Sequence, residues 1–293
     1  MPDTLPRSVG IHDGPFHADE VTAVALLLLT DRVDRDRIHR SRDPEVLDEC
    51  EYVCDVGGTY DPAQKRFDHH QVDYRGGLSS AGMVLEFLWR EGALEKEEYH
   101  FLRENLMDGV DLHDNGRIQP IPGVMTFSVV VANFMPVSYD ATPSEIEEGF
   151  WAALHFVRGH LERMLGRHRY GVECRQQVAE AMKGGAEILI FDKKIPWLES
   201  FFALGGEGHP AKLVVMPANP HWKLRGIPPN MAERMSVRVP MPEKWAGLLE
   251  GDLGKVCPIK GAVFCHKGRF VSVWETKEAA LEAARRILNG DRF

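Results

Sequence analysis

The sequence contains few cysteines, and none of them forms a C-x-x-C pair. The five thiols belong to Cys50, Cys54, Cys174, Cys257 and Cys265. Disulfide frameworks are typical of small secreted chains with an even cysteine count, and many zinc sites use closely spaced thiols. The sequence therefore predicts reduced, packed cysteines and excludes a disulfide scaffold or a zinc finger.

A long apolar run is also missing from the start of the chain. The longest there extends from Val24 to Leu29, far short of the roughly 18–20 residues that span a bilayer. Residues 1–7 contain no apolar core of a secretory signal. With 293 residues, 44% of them hydrophobic, the chain has room for two globular domains. We expect a cytoplasmic protein that does not enter a membrane.

Basic residues are scarce in the first half. Residues 1–159 contain 14 Lys and Arg against 29 Asp and Glu, a balance of −15, whereas residues 160–293 contain 21 against 15, a balance of +6. The acidic part is suited to hold cations, and the basic part is suited to receive a polyanion such as a phosphodiester. Two merely solvated surfaces remain the alternative.

What the first half has in abundance is imidazole and carboxylate groups in four short clusters. They are His12 and Asp13 with His17 and Asp19; Asp55; Asp68 with His69 and His70; and Asp111 with Asp114. Crowded carboxylates repel one another, and a salt-bridge network would need cationic partners, of which these motifs contain only Arg66. The clusters therefore predict a site for divalent cations.

The hydrophobic pattern predicts an α/β fold. Strands predicted at 8–12, 37–40 and 51–56 alternate with helices at about 17–30 and 43–49, which is typical of parallel βαβ units. His12 and Asp55 fall at predicted strand ends, where ligands bind in such sheets.

The pattern of the remaining sequence predicts more helices, followed by a region that is mostly strand-like. A helix from Glu95 to about Val110 ends ahead of Asp111, and a capping box at Ser144–Glu147 opens a helical stretch to about Met182. Strands, including one at 236–238, follow. We expect a catalytic domain at 1–145, a helical connector at 146–184 and a C-terminal domain at 185–293.

Two metal ions need a carboxylate that bridges them and further ligands for each. Asp55 suits the bridge, His12, His17 and Asp19 come from one turn, Asp68 or His69 from the third segment, and Asp111 or Asp114 from the fourth. Carboxylate oxygen favours Mn²⁺ and Mg²⁺, and added imidazole shifts the preference toward Mn, Fe, Co or Zn. Because no cysteine accompanies these clusters, zinc is less suitable than Mn²⁺ or Mg²⁺.

The order His-x4-His-x-Asp, Asp, Asp-His-His and Asp resembles the four motifs of the DHH phosphoesterase superfamily. More narrowly, the chain is similar to the melanocyte-proliferating-gene-one exonuclease family, whose relatives are also labelled metal-dependent protein hydrolases. The segments that carry this similarity are residues 10–20, 55–61, 66–71, 79–82, 111–116, 238–248 and 263–270.

The resemblance implies a DHH-type parallel-sheet domain followed by a smaller, mixed α/β DHHA-like domain. It implies a cofactor of two Mn²⁺ ions, with Mg²⁺ or another divalent metal as alternatives. The expected metal ligands are His12, His17, Asp19, Asp55, Asp68, His69, Asp111 and Asp114. Asp55, His70 and Asp13 are the expected catalytic residues.

Substrate contacts are expected from both domains. His70, Asn115 and Arg117 are candidates near the metals, and Arg238, His266, Lys267 and Arg269 are candidates in the basic part. A guanidinium can hold a phosphate with two parallel hydrogen bonds. For Arg238, a structural ion pair is the alternative.

These expectations together describe a metal-dependent phosphodiesterase, a 3′–5′ exonuclease acting on RNA or short oligonucleotides by two-metal activation of water. A hydrolase of a small phosphate compound, such as pyrophosphate, a cyclic dinucleotide or a nucleotide monoester, is the first alternative. A non-catalytic metal- or nucleotide-binding module is the second. The long helical connector is compatible with a homodimer.

Overall fold

The computed structural model describes residues 4–291 and divides them into two units. The first unit ends at His168 and the second begins at Arg169, a boundary that lies inside the segment expected to be a helical connector. Each unit has its own five-stranded sheet and its own apolar clusters. The predicted α/β class is therefore confirmed.

The first unit contains a mostly parallel sheet surrounded by helices. Its elements are β1 (Leu5–Ile11), α1 (Ala18–Leu29), β2 (Ile38–Arg40), α2 (Pro44–Glu49), β3 (Cys50–Cys54), β4 (Tyr60–Asp61), β5 (Arg66–Phe67), α3 (Ser80–Arg90), α4 (Lys96–Leu102), α5 (Asp108–Asp114), α6 (Phe127–Ala132) and α7 (Pro143–Glu173), the last of which continues past the boundary.

The strand order β2-β1-β3-β5-β4 explains where the polar clusters meet. β1, β2, β3 and β5 are parallel, and only β4 is antiparallel to its neighbour. His12, Asp55 and Asp68 follow directly after β1, β3 and β5 respectively. Since the carboxyl ends of adjacent parallel strands meet at one edge, the fold brings these three segments together.

Helix α1 connects this edge to the core. Its first ten residues are all buried, including Asp19 and Glu20 in the first turn. The helix contacts α3, α5 and α6 as well as the sheet, which is why its sequence is apolar on every side. The two buried acids are the exception to that pattern.

Two helix boundaries differ from the sequence predictions. The helix expected to stop before Asp111 continues instead, through a π-helical turn at Arg103–Met107, into α5, which ends at Asp114. Helix α7 is capped by Thr142 rather than Ser144, because the Thr142 hydroxyl accepts from the Glu145 N–H and the Glu145 carboxylate accepts from the Thr142 N–H at 2.7 Å.

Among the described residues, no helix has both the length and the apolarity needed to cross a membrane.

The second unit is a mixed sheet with helices on both faces. Its elements are α8 (Arg175–Met182), β6 (Ile188–Ile190), α9 (Leu198–Ala203), β7 (Leu213–Ala218), β8 (His221–Gly226), α10 (Glu250–Val256), β9 (Ala262–Cys265), β10 (Val271–Trp274) and α11 (Lys277–Asn289). The strand order is β6-β7-β8-β10-β9, and only β6 and β7 are parallel.

Apolar packing fixes the two faces of this second sheet. Helix α11 packs Ala280 and Ala284 into the cluster that contains Leu224 and Trp274. Helices α8 and α9 pack against Val214 and Met216 of β7 on the other face. The strand predicted at 236–238 is wrong, because those residues lie in a loop, and β10 was not predicted.

Candidate metal centre

Asp55 lies in the middle of the polar cluster of the first unit. His12 Nε2 is 3.3 Å from Asp55 Oδ2, and His69 Nε2 is 3.2 Å from Oδ1. His70 Nδ1 is 3.5 Å from Oδ1, and the Ser80 hydroxyl donates to Oδ1 at 3.2 Å. Asp55 has a φ of +59°, a left-handed conformation that Asp and Asn adopt more readily than other non-glycine residues. Both carboxylate oxygens thus face ligand-type groups, as a bridging residue requires.

One group of candidate ligands gathers beside Asp55 Oδ2. Ligand atoms of His12, His17, Glu20 and Asp55 all lie within 4.8 Å of one another. His12 Nδ1 is 3.0 Å from the Asp13 carbonyl, so Nδ1 carries the proton and Nε2 faces Glu20 at 3.2 Å. His17 is the N-cap of α1, and its backbone N–H donates to Glu20 Oε1 at 2.8 Å. A carbonyl that fixes the histidine tautomer is typical of metal sites.

A second group lies on the other side of Asp55. Ligand atoms of Asp19, His69 and Asp114 are within 4.8 Å of one another, and Asp55, His69 and His70 form a third such group. His69 Nε2 is 3.1 Å from Asp114 Oδ2 and 3.7 Å from Asp19 Oδ2. Asp55 and His69 therefore link the separate groups.

Asp19 supplies the strongest sign that a cation belongs here. The residue is fully buried, and neither of its carboxylate oxygens has a hydrogen-bond partner within residues 4–291. An ionised carboxylate buried without a partner is costly, and buried charges are normally paired or coordinate metals. The donor set of carboxylate oxygen and imidazole nitrogen fits Mn²⁺ and comparable divalent ions.

The ionisation of these groups shows how the cluster balances charge without an ion. Burial by itself would lower the pKa of His12. Hydrogen bonds to Asp55, which contributes more, and to Glu20 outweigh burial and raise this pKa to about 10. Burial likewise opposes the rise in the pKa of His69, which hydrogen bonds to Asp114 and Asp55 bring to about 10. Burial and the charge of Asp55 raise the pKa of Asp19 well above its usual value. Burial would raise the pKa of Asp55, but hydrogen bonds from both histidines outweigh it and hold that pKa below the usual range.

Asp111 is not one of the converging ligands, which corrects the sequence expectation. Its Oδ1 accepts hydrogen bonds from the Ser79 N–H at 2.9 Å and the Ser79 hydroxyl at 2.7 Å, and its Oδ2 is 2.9 Å from Arg103 Nη1. Burial raises the pKa of Asp111, although the Ser79 and Arg103 contacts oppose that rise. A Cβ on Gly82 would lie 2.4 Å from Asp111 Oδ2. Asp111 thus joins α3 to α5, and Asp114 is the residue that α5 brings to the centre.

Asp68 and Asp13 also differ from their expected roles. Asp68 Oδ2 accepts from the Gly58 N–H at 2.6 Å, and Oδ1 accepts from the His70 N–H at 3.0 Å and from its ring Nδ1 at 2.8 Å. Asp68 therefore positions His70 instead of joining the ligand groups. The Asp13 side chain is exposed and lies 3.3 Å from Arg42, so its carbonyl contributes to the site and its carboxylate does not.

Asn115 and Arg117 follow the metal centre along the chain. The Asn115 amide donates to the Asp111 carbonyl at 2.8 Å and to the Gly77 carbonyl at 3.4 Å, which gives it a structural role at the end of α5. Arg117 is exposed beside Gly77, and its guanidinium has no hydrogen-bond partner among residues 4–291. Arg117 therefore stays a candidate for substrate contact, whereas the Asn115 amide is already engaged.

Arg238 does not present a free guanidinium. Its donors bind the backbone carbonyls of His209 at 2.6 Å, Ala211 at 2.8 Å, Gly206 at 2.7 Å and Pro228 at 3.2 Å. These bonds tie several loops of the second unit together. The geometry corrects both the expected phosphate clamp and the alternative ion pair, because the partners are neutral carbonyls.

The other three substrate candidates of the second unit lie together in the turn after β9. His266 and Arg269 are half-buried, and Lys267 is exposed. His266 Nδ1 accepts from the Gly268 N–H at 2.9 Å, so its Nε2 carries the proton when the ring is neutral. The three side chains of this turn therefore stay candidates for contact with a substrate.

Glu20 is the residue that sequence reasoning missed. It is fully buried and contacts both His12 and the His17 backbone. The available signal was an acid three residues after His17, at the position where a capping box places a carboxylate.

Comparisons with known proteins agree with the sequence resemblance. Residues 8–288 match the family MYG1_exonuc, described as an uncharacterised protein family (UPF0160). The chain is 52% identical over 284 residues to the MYG1 protein of Chlamydia pneumoniae, covering 97% of each chain. It is 30% identical over 325 residues to the human MYG1 exonuclease, covering 97% of this chain and 86% of the human one.

Among solved structures, the chain matches RecJ from Thermus thermophilus in complex with Mn²⁺. The sequence identity is 16% and the TM-score is 0.27, with 95% of this chain and 52% of the RecJ chain covered. The chain thus spans about half the length of that RecJ protein.

Proposed function

Because the chain belongs to the MYG1 exonuclease family, we propose that it is a metal-dependent 3′–5′ exonuclease acting on RNA or short oligonucleotides. The observation that carries this proposal is the convergence of four chain segments around Asp55, beside a fully buried Asp19 whose carboxylate oxygens accept no hydrogen bond from residues 4–291. Relatives named exonucleases and the charge asymmetry of the two halves support the nucleic-acid substrate.

The residues that would hold the ions fall on both sides of Asp55. They are His12, His17 and Glu20 on one side, and Asp19, His69 and Asp114 on the other. Divalent ions bound there would supply Lewis-acid polarisation of a phosphoryl oxygen and a lowered pKa for a water molecule. The chain itself contributes the fixed orientation of the ligand atoms, through groups such as the Asp13 carbonyl and the Ser80 hydroxyl.

His70 is the residue best placed to act on the substrate directly. Its side chain is 63% exposed, whereas the carboxylates of Asp55 and Asp68 beside it are buried. Asp68 accepts a hydrogen bond from Nδ1, which leaves Nε2 to take up a proton or, once protonated, to donate to a phosphoryl oxygen. Negative charge that develops on the phosphoryl oxygens would thus meet a donor that is already oriented.

A degradation assay with matched substrates tests the activity and its direction. The full-length protein, loaded with Mn²⁺, is given RNA and DNA of one sequence, each with a free or a blocked 3′ end, and the products are followed by mass spectrometry. We expect stepwise loss of 3′ nucleotides from unblocked RNA and protection by the 3′ block. Pyrophosphate and a nucleotide monoester serve as small-substrate comparisons.

Asp55→Asn is the informative variant, since Asn tolerates the left-handed backbone at this position and removes only the charge. We expect at least a ~10³-fold loss of activity, on the order of 4 kcal/mol of transition-state stabilisation. Near-normal turnover by this variant in Mn²⁺ would contradict the proposal, and so would exclusive turnover of the small compounds.

A further inference from the structure

Strand β8 of the second unit presents two cations on one face of its sheet. Lys223 is paired across the ladder with Met216 and Val273, and Arg225 is paired with Val214 and Val271. Side chains two residues apart on a strand project to the same side, so Lys223 and Arg225 lie side by side. This is the side opposite to the cluster that Leu224 forms with α11.

The row continues across β10 to β9. Phe264 is paired with Val273, and the His266 N–H donates to the Val271 carbonyl at 3.0 Å, one residue beyond the Ser272–Cys265 pair. We name this surface the basic face; it consists of Lys223, Arg225, Phe264, His266, Val271 and Val273. All six residues are half-buried, so the surface is neither part of the core nor fully solvated.

The cations of the basic face have no acidic partners. Among residues 4–291, neither Lys223 nor Arg225 has a side-chain hydrogen bond or an ion pair, and Arg225 Nε is buried without a partner. Burial and the nearby charges of Lys194 and Arg225 lower the pKa of Lys223, and burial lowers the pKa of Arg225. Like charges held together at this cost are characteristic of a surface that receives an anion.

Aromatic rings lie next to the cations. The rings of Phe264 and His266 are 6.3 Å apart in an edge-to-face arrangement, and those of His266 and Phe270 are 4.3 Å apart. Proteins that bind single-stranded nucleic acid combine cations for the backbone with flat rings on which bases stack. A site for free phosphate would need the cations but not the rings.

We propose that the basic face binds the sugar-phosphate backbone and bases of a single-stranded nucleic acid, with Lys223 and Arg225 on consecutive phosphates and Phe264 and His266 against a base. This inference rests on the proposed exonuclease function, whose substrate the face would hold. It assigns substrate recognition to strand residues rather than to Arg238.

The test compares two double variants of the full-length protein with equal charge change. Lys223→Gln with Arg225→Gln removes the cations of the basic face. Lys260→Gln with Arg285→Gln removes two cations from other parts of the second unit and serves as the control. Anisotropy of a labelled RNA or DNA strand of about 12 nucleotides, long enough for a single-strand site, measures binding in EDTA without cleavage, and steady-state kinetics in Mn²⁺ gives KM and kcat.

For the basic-face variant we expect at least about tenfold weaker binding, a similarly raised KM and a kcat within about twofold of the unaltered protein. The slope of log affinity against log salt should fall by about 1.4, since each phosphate contact with a single strand contributes about 0.7. Phe264→Ala should weaken binding by about tenfold without changing that slope, because stacking is uncharged. The control variant should retain the affinity and the slope of the unaltered protein.

Failure of the inference and failure of the proposed function give different results. If the unaltered protein degrades RNA but the basic-face variant binds it as tightly as the control does, the inference is overturned and the exonuclease proposal stands. If millimolar inorganic phosphate displaces the strand completely and affinity is independent of strand length, the face is a phosphate site and the inference is also overturned. If the unaltered protein neither binds nor degrades any strand, both proposals fail.

Discussion

At the residue scale, Asp19 distinguishes a metal centre from an ordinary polar cluster. A buried carboxylate normally accepts several hydrogen bonds, and Asp111 in the same unit does so from Ser79. Within residues 4–291 Asp19 accepts none, and His69 Nε2 lies 3.7 Å from its Oδ2. Its burial therefore destabilises the metal-free protein, and a bound cation would offset that cost.

Replacing Asp19 by Asn should accordingly stabilise the metal-free protein while abolishing its response to metal. Removing a buried carboxyl group whose ionisation is disfavoured by burial and by the charge of Asp55 is expected to raise the free energy of unfolding by about 1 kcal/mol or more, a rise of about 2–4 °C in Tm. Calorimetry in EDTA and in Mn²⁺ measures both effects.

Asp111→Asn is the matched control for this prediction. It also replaces a buried carboxylate by an amide, but it weakens the hydrogen bonds from Ser79 and leaves Arg103 with Asp108 as its one remaining counter-ion among the described residues. We expect a lower Tm in EDTA, the opposite sign to Asp19→Asn. If Asp19→Asn lowered the Tm in EDTA as much as this control does, burial of the Asp19 carboxyl group would not destabilise the metal-free protein.

Metal binding should release protons, because the two central histidines hold them in the metal-free protein. His12 and His69 have a pKa of about 10, so both are protonated at about pH 8 and must lose a proton before Nε2 can bind a cation. Affinity for Mn²⁺ should therefore rise with pH up to about 10. Titration calorimetry near pH ~8 in buffers of different ionisation enthalpy should show release of about two protons, and buffer-independent heats would argue against these histidines as ligands.

The sequence predicted the chemistry of the site better than the role of each residue. Clustered His and Asp residues indicated a cation centre, and His12, Asp55 and His69 do converge. The sequence could not show which of Asp111 and Asp114 is the candidate ligand, because they lie one turn apart on one helix. Tertiary packing decides which of them reaches the centre. Short-range spacing carries no information about Ser79 and Arg103, which engage Asp111 instead.

At the element scale, the parallel sheet creates the centre by aligning strand ends. β1, β3 and β5 each end immediately before a polar residue of the site. For β1 and β3, this position of a site residue at the strand end could be predicted from the sequence. The two-residue strand β5 and the π-helical turn before α5 could not, because each depends on contacts with elements distant in the chain.

A substitution at Gly82 tests whether α3 and α5 lie so close together that this position requires glycine. A Cβ at this position would lie within 2.5 Å of both Asp111 carboxylate oxygens. Gly82→Ala should destabilise the protein by about 1–3 kcal/mol through overpacking, and weaken Mn²⁺ binding because α5 carries Asp114. Denaturant unfolding and metal titration of the same variant provide the two measurements.

The control for that substitution is Gly109→Ala in α5 itself. A Cβ on Gly109 meets no atom within 4 Å, so alanine should leave stability unchanged or raise it by about 0.5–1 kcal/mol through helix propensity. If both glycine variants behaved alike, close approach of the helices would not be the reason for glycine at position 82.

At the scale of the whole molecule, charge and chemistry divide between the two units. Among the described residues, the converging ligand groups belong to the first unit, which is the acidic half of the chain, and the unpaired cations of the basic face belong to the second. Composition alone predicted this division. It could not predict which basic residues are free, since Arg238 is engaged by carbonyls and Arg225 is not.

Hydrogen exchange should reveal that division on metal binding. In Mn²⁺, amide exchange is expected to slow in residues 12–20, 55–58, 68–70 and 111–115, because a bound ion would add bonds between these segments. Strands β7 and β8 of the second unit should exchange at unchanged rates. Protection confined to the second unit would place the metal elsewhere.

The central claim is that four segments of the first unit hold two divalent ions which share Asp55. Anomalous scattering at the manganese edge, from a crystal grown with Mn²⁺, tests it most directly. The account predicts two peaks about 3.5–4 Å apart, one on each side of the Asp55 carboxylate. A crystal with no peak there, or with manganese bound only at other residues while Asp19 stays buried and unpaired, would contradict it.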